Sequence, residues 1–152
     1  MPNKPPRASF ALPIRVYYED TDAAGVVYYA NYLRFLERAR TEWLRALGFE
    51  QKRLAEELGI AFVARSIAVD YLKPARLDDA LNVVSEIESV GRAQIVFAQR
   101  VLRAGLPDSG QGAELLLTSS MRIACIEPAA MRPAAMPKDI YETFKALTGT
   151  RA

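Results

Sequence analysis

The sequence predicts an α+β domain in which a five-stranded antiparallel sheet is wrapped around one long central helix, in the order β-α-β-β-β-β with a C-terminal helix. Three observations predict it. Residues 29–47 carry apolar side chains at helical spacing, from Gly59 onward the apolar period drops to two, and the connectors between the later strands are short and rich in turn residues. A sheet of this kind must cover its apolar face, and one long helix is the only large partner the chain supplies. With 152 residues, one core and one domain are expected.

Taken in order, residues 1–12 (MPNKPPRASFAL) read as a flexible arm, and the domain proper as 13–147 with a tail at 148–152. The apolar part of the arm is short and broken by Pro13, which argues against a secretory signal and for a cytoplasmic protein. Residues 14–18 form the first predicted strand. In the helix that follows, Tyr32, Leu36, Ala39, Trp43 and Leu47 share one stripe, with Arg34, Arg38, Thr41, Glu42 and Arg45 outside it. Arg38 and Glu42, four apart, are placed to pair for about 0.3–0.5 kcal/mol. Gly48 closes this helix, and a short second one at 50–58 ends at Gly59. Alternation then marks four strands: Ile67, Val69 and Tyr71; Leu81, Val83, Ser85 and Ile87; Ile95, Phe97, Gln99 and Val101; Leu115, Leu117, Ser119, Met121 and Ile123. The connectors KPARLDD, SVGRA and RAGLPDSGQG predict hairpins between consecutive strands. Residues 137–147 complete the chain as a helix with Asp139 in its first turn.

Composition excludes several chemistries. Apolar residues make up 51% and charged residues 25%, a globular balance, and no apolar run approaches the roughly 18 residues of a membrane span. The net charge of +2 is mild and the basic residues are scattered, which does not support nucleic-acid binding. The chain contains no histidine, which removes Ser-His-Asp and Cys-His catalysis and the usual zinc sites. The one cysteine, Cys125, sits in the alternation RIACI and reads as a buried structural thiol. GQGAEL at 110–115 lacks the third glycine of a dinucleotide fingerprint. Catalysis is therefore left to carboxylates, tyrosines and backbone amides.

Such groups converge in VYYEDTDAAGVVYYANYLRF. Asp20 and Asp22 flank Thr21, Gly25 permits close backbone approach to a ligand, and the helix beginning near Tyr29 offers unpaired N–H groups at its positive end. A carboxylate and an oxyanion binder are thus placed side by side, although Asp, Thr and Gly are also ordinary loop and cap residues.

RVYYEDTDAAGVVYYANYLRFLERARTEWLRALGF, DYLKPARLDDALNVVSEI and MRPAAMPKDIYETFK together resemble the acyl-CoA thioesterases associated with the Tol-Pal system, within the 4-hydroxybenzoyl-CoA thioesterase group of hotdog-fold proteins. The resemblance spans about residues 14–145. It implies hydrolysis of acyl-CoA thioesters without metal or redox cofactor, with Asp22 as general base or nucleophile and the Tyr29 backbone amide as oxyanion donor. Asp20 and Glu19 are implied to support the loop. Gly25, Asn31 and Arg92 are the expected substrate-binding positions, with Lys73 and Arg76 as further candidates for the coenzyme A phosphates. The resemblance also implies a homo-oligomer, a tetramer of two dimers. A rival reading retains the cleft for acyl-CoA or acyl carrier protein without turnover. One departure is visible: VYYANY carries Tyr29 where the related branch reads V-Y-H-A-N-Y, so a backbone role transfers and a side-chain role does not.

Overall fold

The period-two alternation is realised as burial. Leu81, Val83, Ser85 and Ile87 on one strand, and Ile95, Phe97, Gln99 and Val101 on the next, all turn inward. They meet the stripe of α1 (Tyr32–Ala46), which buries Tyr32, Phe35, Leu36, Ala39, Arg40, Trp43 and Leu44. The computed structural model describes residues 7–104 and 113–149; most of the connector RAGLPDSGQG, part of GQGAEL, the first residues of the arm and the end of the tail lie outside them.

The sheet holds β1 (Ser9–Arg15), β2 (Ala61–Tyr71), β3 (Ala80–Val90), β4 (Gln94–Arg103) and β5 (Glu114–Glu127) in the spatial order β1-β3-β4-β5-β2, and a two-residue β6 (Arg132–Pro133) pairs with β5. All pairs are antiparallel. Two expectations are corrected here. The first strand is β1, starting at Ser9, so residues 9–12 are ladder and not arm; Pro13 interrupts the apolar pattern but is tolerated on an edge strand. Residues 16–18 leave the sheet instead. Second, the KPARLDD connector is not a hairpin, because β2 pairs with β5 and β3 lies between β1 and β4. Three strand spacings separate β2 from β3, about 14 Å along the sheet, which eight connecting residues span easily.

Two apolar clusters fill the space between α1 and the sheet. One gathers Val16, Val27, Tyr32, Phe35, Leu36, Ala39, Leu81, Val83 and Val101 around the start of α1. The other gathers Trp43, Leu44, Phe97, Ile123 and Cys125 with Ile140 and Phe144 of α3 (Lys138–Leu147). Each large side chain so buried contributes about 1.5–3 kcal/mol, and truncating Phe35 or Phe97 to Ala would cost roughly 3–5 kcal/mol. Between the clusters runs a polar tie that the apolar pattern does not reveal. Arg40 donates to Gln99 Oε1 at 3.0 Å, and Gln99 Nε2 donates to the Leu36 carbonyl at 3.0 Å and to Ser85 Oγ at 2.9 Å. Glu42 pairs with Arg45, not with Arg38 as its spacing predicts.

At its C-terminus α1 closes with Gly48 at φ 92°, whose N–H meets the Arg45 carbonyl while Phe49 N–H reaches Leu44. The second helix is one α-turn, α2 (Gln51–Arg53), continued by a π-turn at Leu54–Leu58 and stopped by left-handed Gly59. Among the described residues, no helix is long and apolar enough to cross a membrane.

Candidate active site

After β1 the chain reverses under the control of one buried carboxylate. Val16 N–H bonds the Asp79 carbonyl at 3.0 Å, and residues 18–20 form a 3-10 turn that brings Asp20 inside, 6% exposed. Asp20 Oδ2 accepts the Tyr17 N–H at 2.8 Å, Oδ1 accepts Asn31 Nδ2 at 2.9 Å, and its carbonyl accepts the Tyr28 N–H at 3.0 Å. One residue thereby joins the entry of the loop to the entrance of α1.

Asp22 hangs from this latch on a small hairpin closed by the Thr21–Val27 bridge. Its N–H donates to Val26 O, its carbonyl accepts the Gly25 N–H, and its Oδ1 accepts the Ala24 N–H at 2.8 Å. The turn requires φ 79° at Gly25, where any side chain would be strained even though the space around it is open. Asp22 is exposed, and among the described residues Oδ2 has no partner. The hairpin is strapped to the KPAR turn through the Val26–Arg76 bridge and the Val27 N–H on Ala75 O at 2.8 Å.

A 3-10 turn at Tyr29–Asn31 leads into α1. First-turn amides lack intrahelical acceptors, and among the described residues the Tyr29 N–H has no hydrogen-bond partner. Asp22, Tyr28, Ala30, Asn31 and Arg34 line an open cleft of about 310 Å³, and Val27, Tyr29, Tyr32, Tyr71, Leu72 and Pro74, with Lys73, line a largely apolar recess of about 260 Å³. The rings of Tyr28 and Tyr29 lie 4.8 Å apart, and those of Tyr32 and Tyr71 5.6 Å apart. The Tyr28 phenol is pushed up, first by its hydrogen bond with Tyr29 and last by the charge of Asp22. Burial pushes up Tyr32, whose oxygen accepts the Ala75 N–H at 2.9 Å.

The structure brings Asp22, Gly25, Tyr29 and Asn31 into one hairpin and helix entrance and separates Arg92 from them. Asn31 is 8% exposed and its amide donates to Asp20, so it braces the loop while also lining the cleft that Asp22 opens into. Arg92 stands in the turn beyond Val90, whereas the Asp22 hairpin abuts the residues before Ala80; the eleven residues of β3 put roughly 30 Å between them within one protomer. Lys73 is held by Glu114 at 3.1 Å. Arg76, bridged by its backbone to Val26, is exposed and carries no ion pair among the described residues; the same holds for Arg34, which lines the cleft with Asp22. Tyr71 is visible in the sequence only as a strand position within DYLKPARLDD, and its bond to the Tyr29 carbonyl is shown by the fold alone.

A family model described as the thioesterase superfamily matches residues 24–107, the segment from the Asp22 hairpin through β4. The chain belongs to the thioesterase superfamily. It is 47% identical over 135 residues to the acyl-CoA thioesterase YbgC of Haemophilus influenzae, covering 89% of this chain and 93% of that one. Among solved structures it is similar to a probable thioesterase from Bartonella henselae (33% identity, TM-score 0.76, 86% of this chain and 100% of that one). It is also similar to 4-hydroxybenzoyl CoA thioesterase from Pseudomonas sp. strain CBS-3 (25% identity, TM-score 0.78, 90% and 98%). The curled sheet around α1 is therefore the hotdog fold of this superfamily, in agreement with the architecture that the periodicities predict.

Proposed function

We propose that this thioesterase hydrolyses acyl-CoA thioesters to a free acid and coenzyme A, and that it belongs to the Tol-Pal-associated branch. The carrying observation is that an exposed carboxylate with one free oxygen, Asp22, and an amide with no acceptor, the Tyr29 N–H, belong to one short hairpin and helix entrance, with Asp20 holding the intervening Tyr28 N–H and Asn31. Attack on the thioester carbonyl builds negative charge on its oxygen. An N–H and the positive end of a helix stabilise that charge, and removing such a donor typically costs about 100–1,000-fold in rate. Asp22 Oδ2 either takes the proton of an attacking water or attacks the carbonyl itself to give an anhydride that water then opens. The sulfur leaves as the coenzyme A thiolate in both routes. Neither route calls on a metal or a redox cofactor. Arg76, exposed and bridged to the hairpin at Val26, is assigned to the coenzyme A phosphates, with Lys73 three residues before it as a second cation.

The working form is a cytoplasmic homo-oligomer, a dimer of dimers. Support comes from β2, an edge strand whose Val63, Ile67 and Tyr71 are 38%, 38% and 48% exposed, with one ladder face unpaired within the protomer. An exposed apolar edge of eleven residues is a template for a second copy of the chain. The test is thiol release from short aliphatic, long aliphatic and aromatic acyl-CoAs by the wild type, Asp22→Asn and Tyr29→Phe. The expected result is a loss of about 100–10,000-fold for Asp22→Asn and well under tenfold for Tyr29→Phe, which keeps the N–H. Binding without release across the panel would instead favour a non-catalytic holder of acyl-CoA or acyl carrier protein.

A further inference from the structure

We propose that Tyr71 is a positioning residue for this reaction: by donating its hydroxyl to the Tyr29 carbonyl at 2.9 Å, it holds the backbone of the oxyanion donor in the orientation that turnover requires. This rests on reading the Tyr29 N–H as that donor. A peptide unit is planar, so fixing its carbonyl fixes the N–H across the same bond. The unit carrying the Tyr29 N–H also carries the Tyr28 carbonyl, which accepts the Asn31 N–H at 2.8 Å. The next unit carries the Tyr29 carbonyl, and there the acceptor meets Tyr71. Both planes that meet at the Tyr29 Cα are thus pinned, one from within the 3-10 turn and one from the end of β2.

Tyr71 suits this task. Its ring packs edge-on to Tyr29 at 6.4 Å and to Tyr32 at 5.6 Å, which limits the directions its hydroxyl can take. Burial pushes its hydroxyl up, so it remains a donor through neutral pH. Within one protomer the ring is half exposed, and a single neutral hydrogen bond of its hydroxyl contributes only about 0.5–1.5 kcal/mol to the fold. Such a bond matters most where a fraction of an ångström at an amide decides how well it meets a developing charge.

The experiment compares the full-length wild type with Tyr71→Phe, which removes the donor and keeps the ring. The expected result is a fall in kcat of about 3–10-fold, the scale of one neutral hydrogen bond, with KM within about twofold. Melting temperature and sedimentation are expected to stay at wild-type values. A trifluoromethyl ketone analogue of the acyl-CoA, which mimics the tetrahedral oxyanion, is expected to lose affinity by the same factor as kcat. A thioether analogue without the carbonyl is expected to bind unchanged. The proposal is overturned if kcat is unaltered, if both analogues weaken equally, or if the loss of rate accompanies a lowered melting temperature with no difference between the analogues. Asp22→Asn, assayed in parallel, separates the two levels. Wild-type kcat in Asp22→Asn would bring down the site reading and this inference with it; loss of turnover in Asp22→Asn with wild-type kcat in Tyr71→Phe would bring down the positioning role alone.

Discussion

Asp20 and Asp22 stand two residues apart and are assigned opposite jobs, which a pair of isosteric changes separates. In Asp20→Asn, the two acceptor oxygens that face the Tyr17 N–H and Asn31 Nδ2 are replaced by one oxygen and one NH₂. In either orientation the new NH₂ meets a donor. One charge-assisted bond is lost, worth about 1.5–3 kcal/mol, and the other weakens to a neutral bond, for a total of roughly 2–4 kcal/mol. For a chain of this length that corresponds to a melting temperature lowered by roughly 5–15 °C. Asp22→Asn behaves differently. Its carbonyl oxygen still accepts the Ala24 N–H, the residue is exposed, and stability is expected to stay within about 0.5 kcal/mol while turnover collapses. Circular-dichroism melts at one fixed protein concentration, needed because an oligomer's melting point depends on it, read the first effect; thiol release reads the second. If Asp20→Asn melted within 2 °C of wild type, or Asp22→Asn melted as early as Asp20→Asn, the division of labour argued from their burial would be wrong (thresholds set at about the size of a 0.5–1 kcal/mol change).

Three further outcomes are expected. Burial pulls the Arg40 guanidinium down to about 10, still charged at neutral pH, and Arg40→Met strands Gln99 Oε1; a loss of about 1–3 kcal/mol in urea unfolding is expected, and a variant as stable as wild type would show that the Arg40–Gln99 bond contributes nothing. The Glu114 carboxyl is held below its usual range, first by Lys73 and then by Arg103. Its folded value lies below the unfolded one, so its stabilisation is present above the unfolded carboxylate pKa of about 4.3 and fades as pH falls through the folded value; Glu114→Gln is expected to flatten the acid limb of a melting-temperature profile, and an unchanged limb would assign the limb to other carboxyls. Burial pushes the Cys125 thiol up, so a disulfide reagent at mildly alkaline pH is expected to react with it only after denaturant is added, and equal rates in native and denatured protein would contradict its place in the core.

How much of this was legible in the residues depended on the range of the signal. The stripe of α1 and the alternation of β3 and β4 are local periods, and their burial follows them position by position. β1 was hidden because Pro13 breaks an alternation that an edge strand tolerates, while the β-prone VYY beyond it is bent out of the sheet by the Asp20 side chain. The partners of β2 carry no local mark at all: short connectors favour a hairpin, and only packing decides that β5 and not β3 receives it.

The same division runs through the site. Asp22, Gly25 and Tyr29 lie within eight positions and share one hairpin and one helix entrance, so their juxtaposition is visible in the order of the letters. What holds them arrives from elsewhere: Asn31 is drawn inward by a carboxylate eleven residues earlier, Ala75 straps Val27 from the connector, and Tyr71 reaches the Tyr29 carbonyl from a strand 42 residues away. Asn31 illustrates how one residue can serve both the loop and the cleft. An amide in a loop of acids suits a ligand and a carboxylate of the chain equally, and a buried amide must find a partner, which the fold supplies from the acceptor it buries beside it. Here that acceptor is Asp20, which also takes the Tyr17 N–H on its other oxygen and the Tyr28 N–H on its carbonyl, so one buried residue joins the chain entering the Asp22 hairpin to the turn that opens α1.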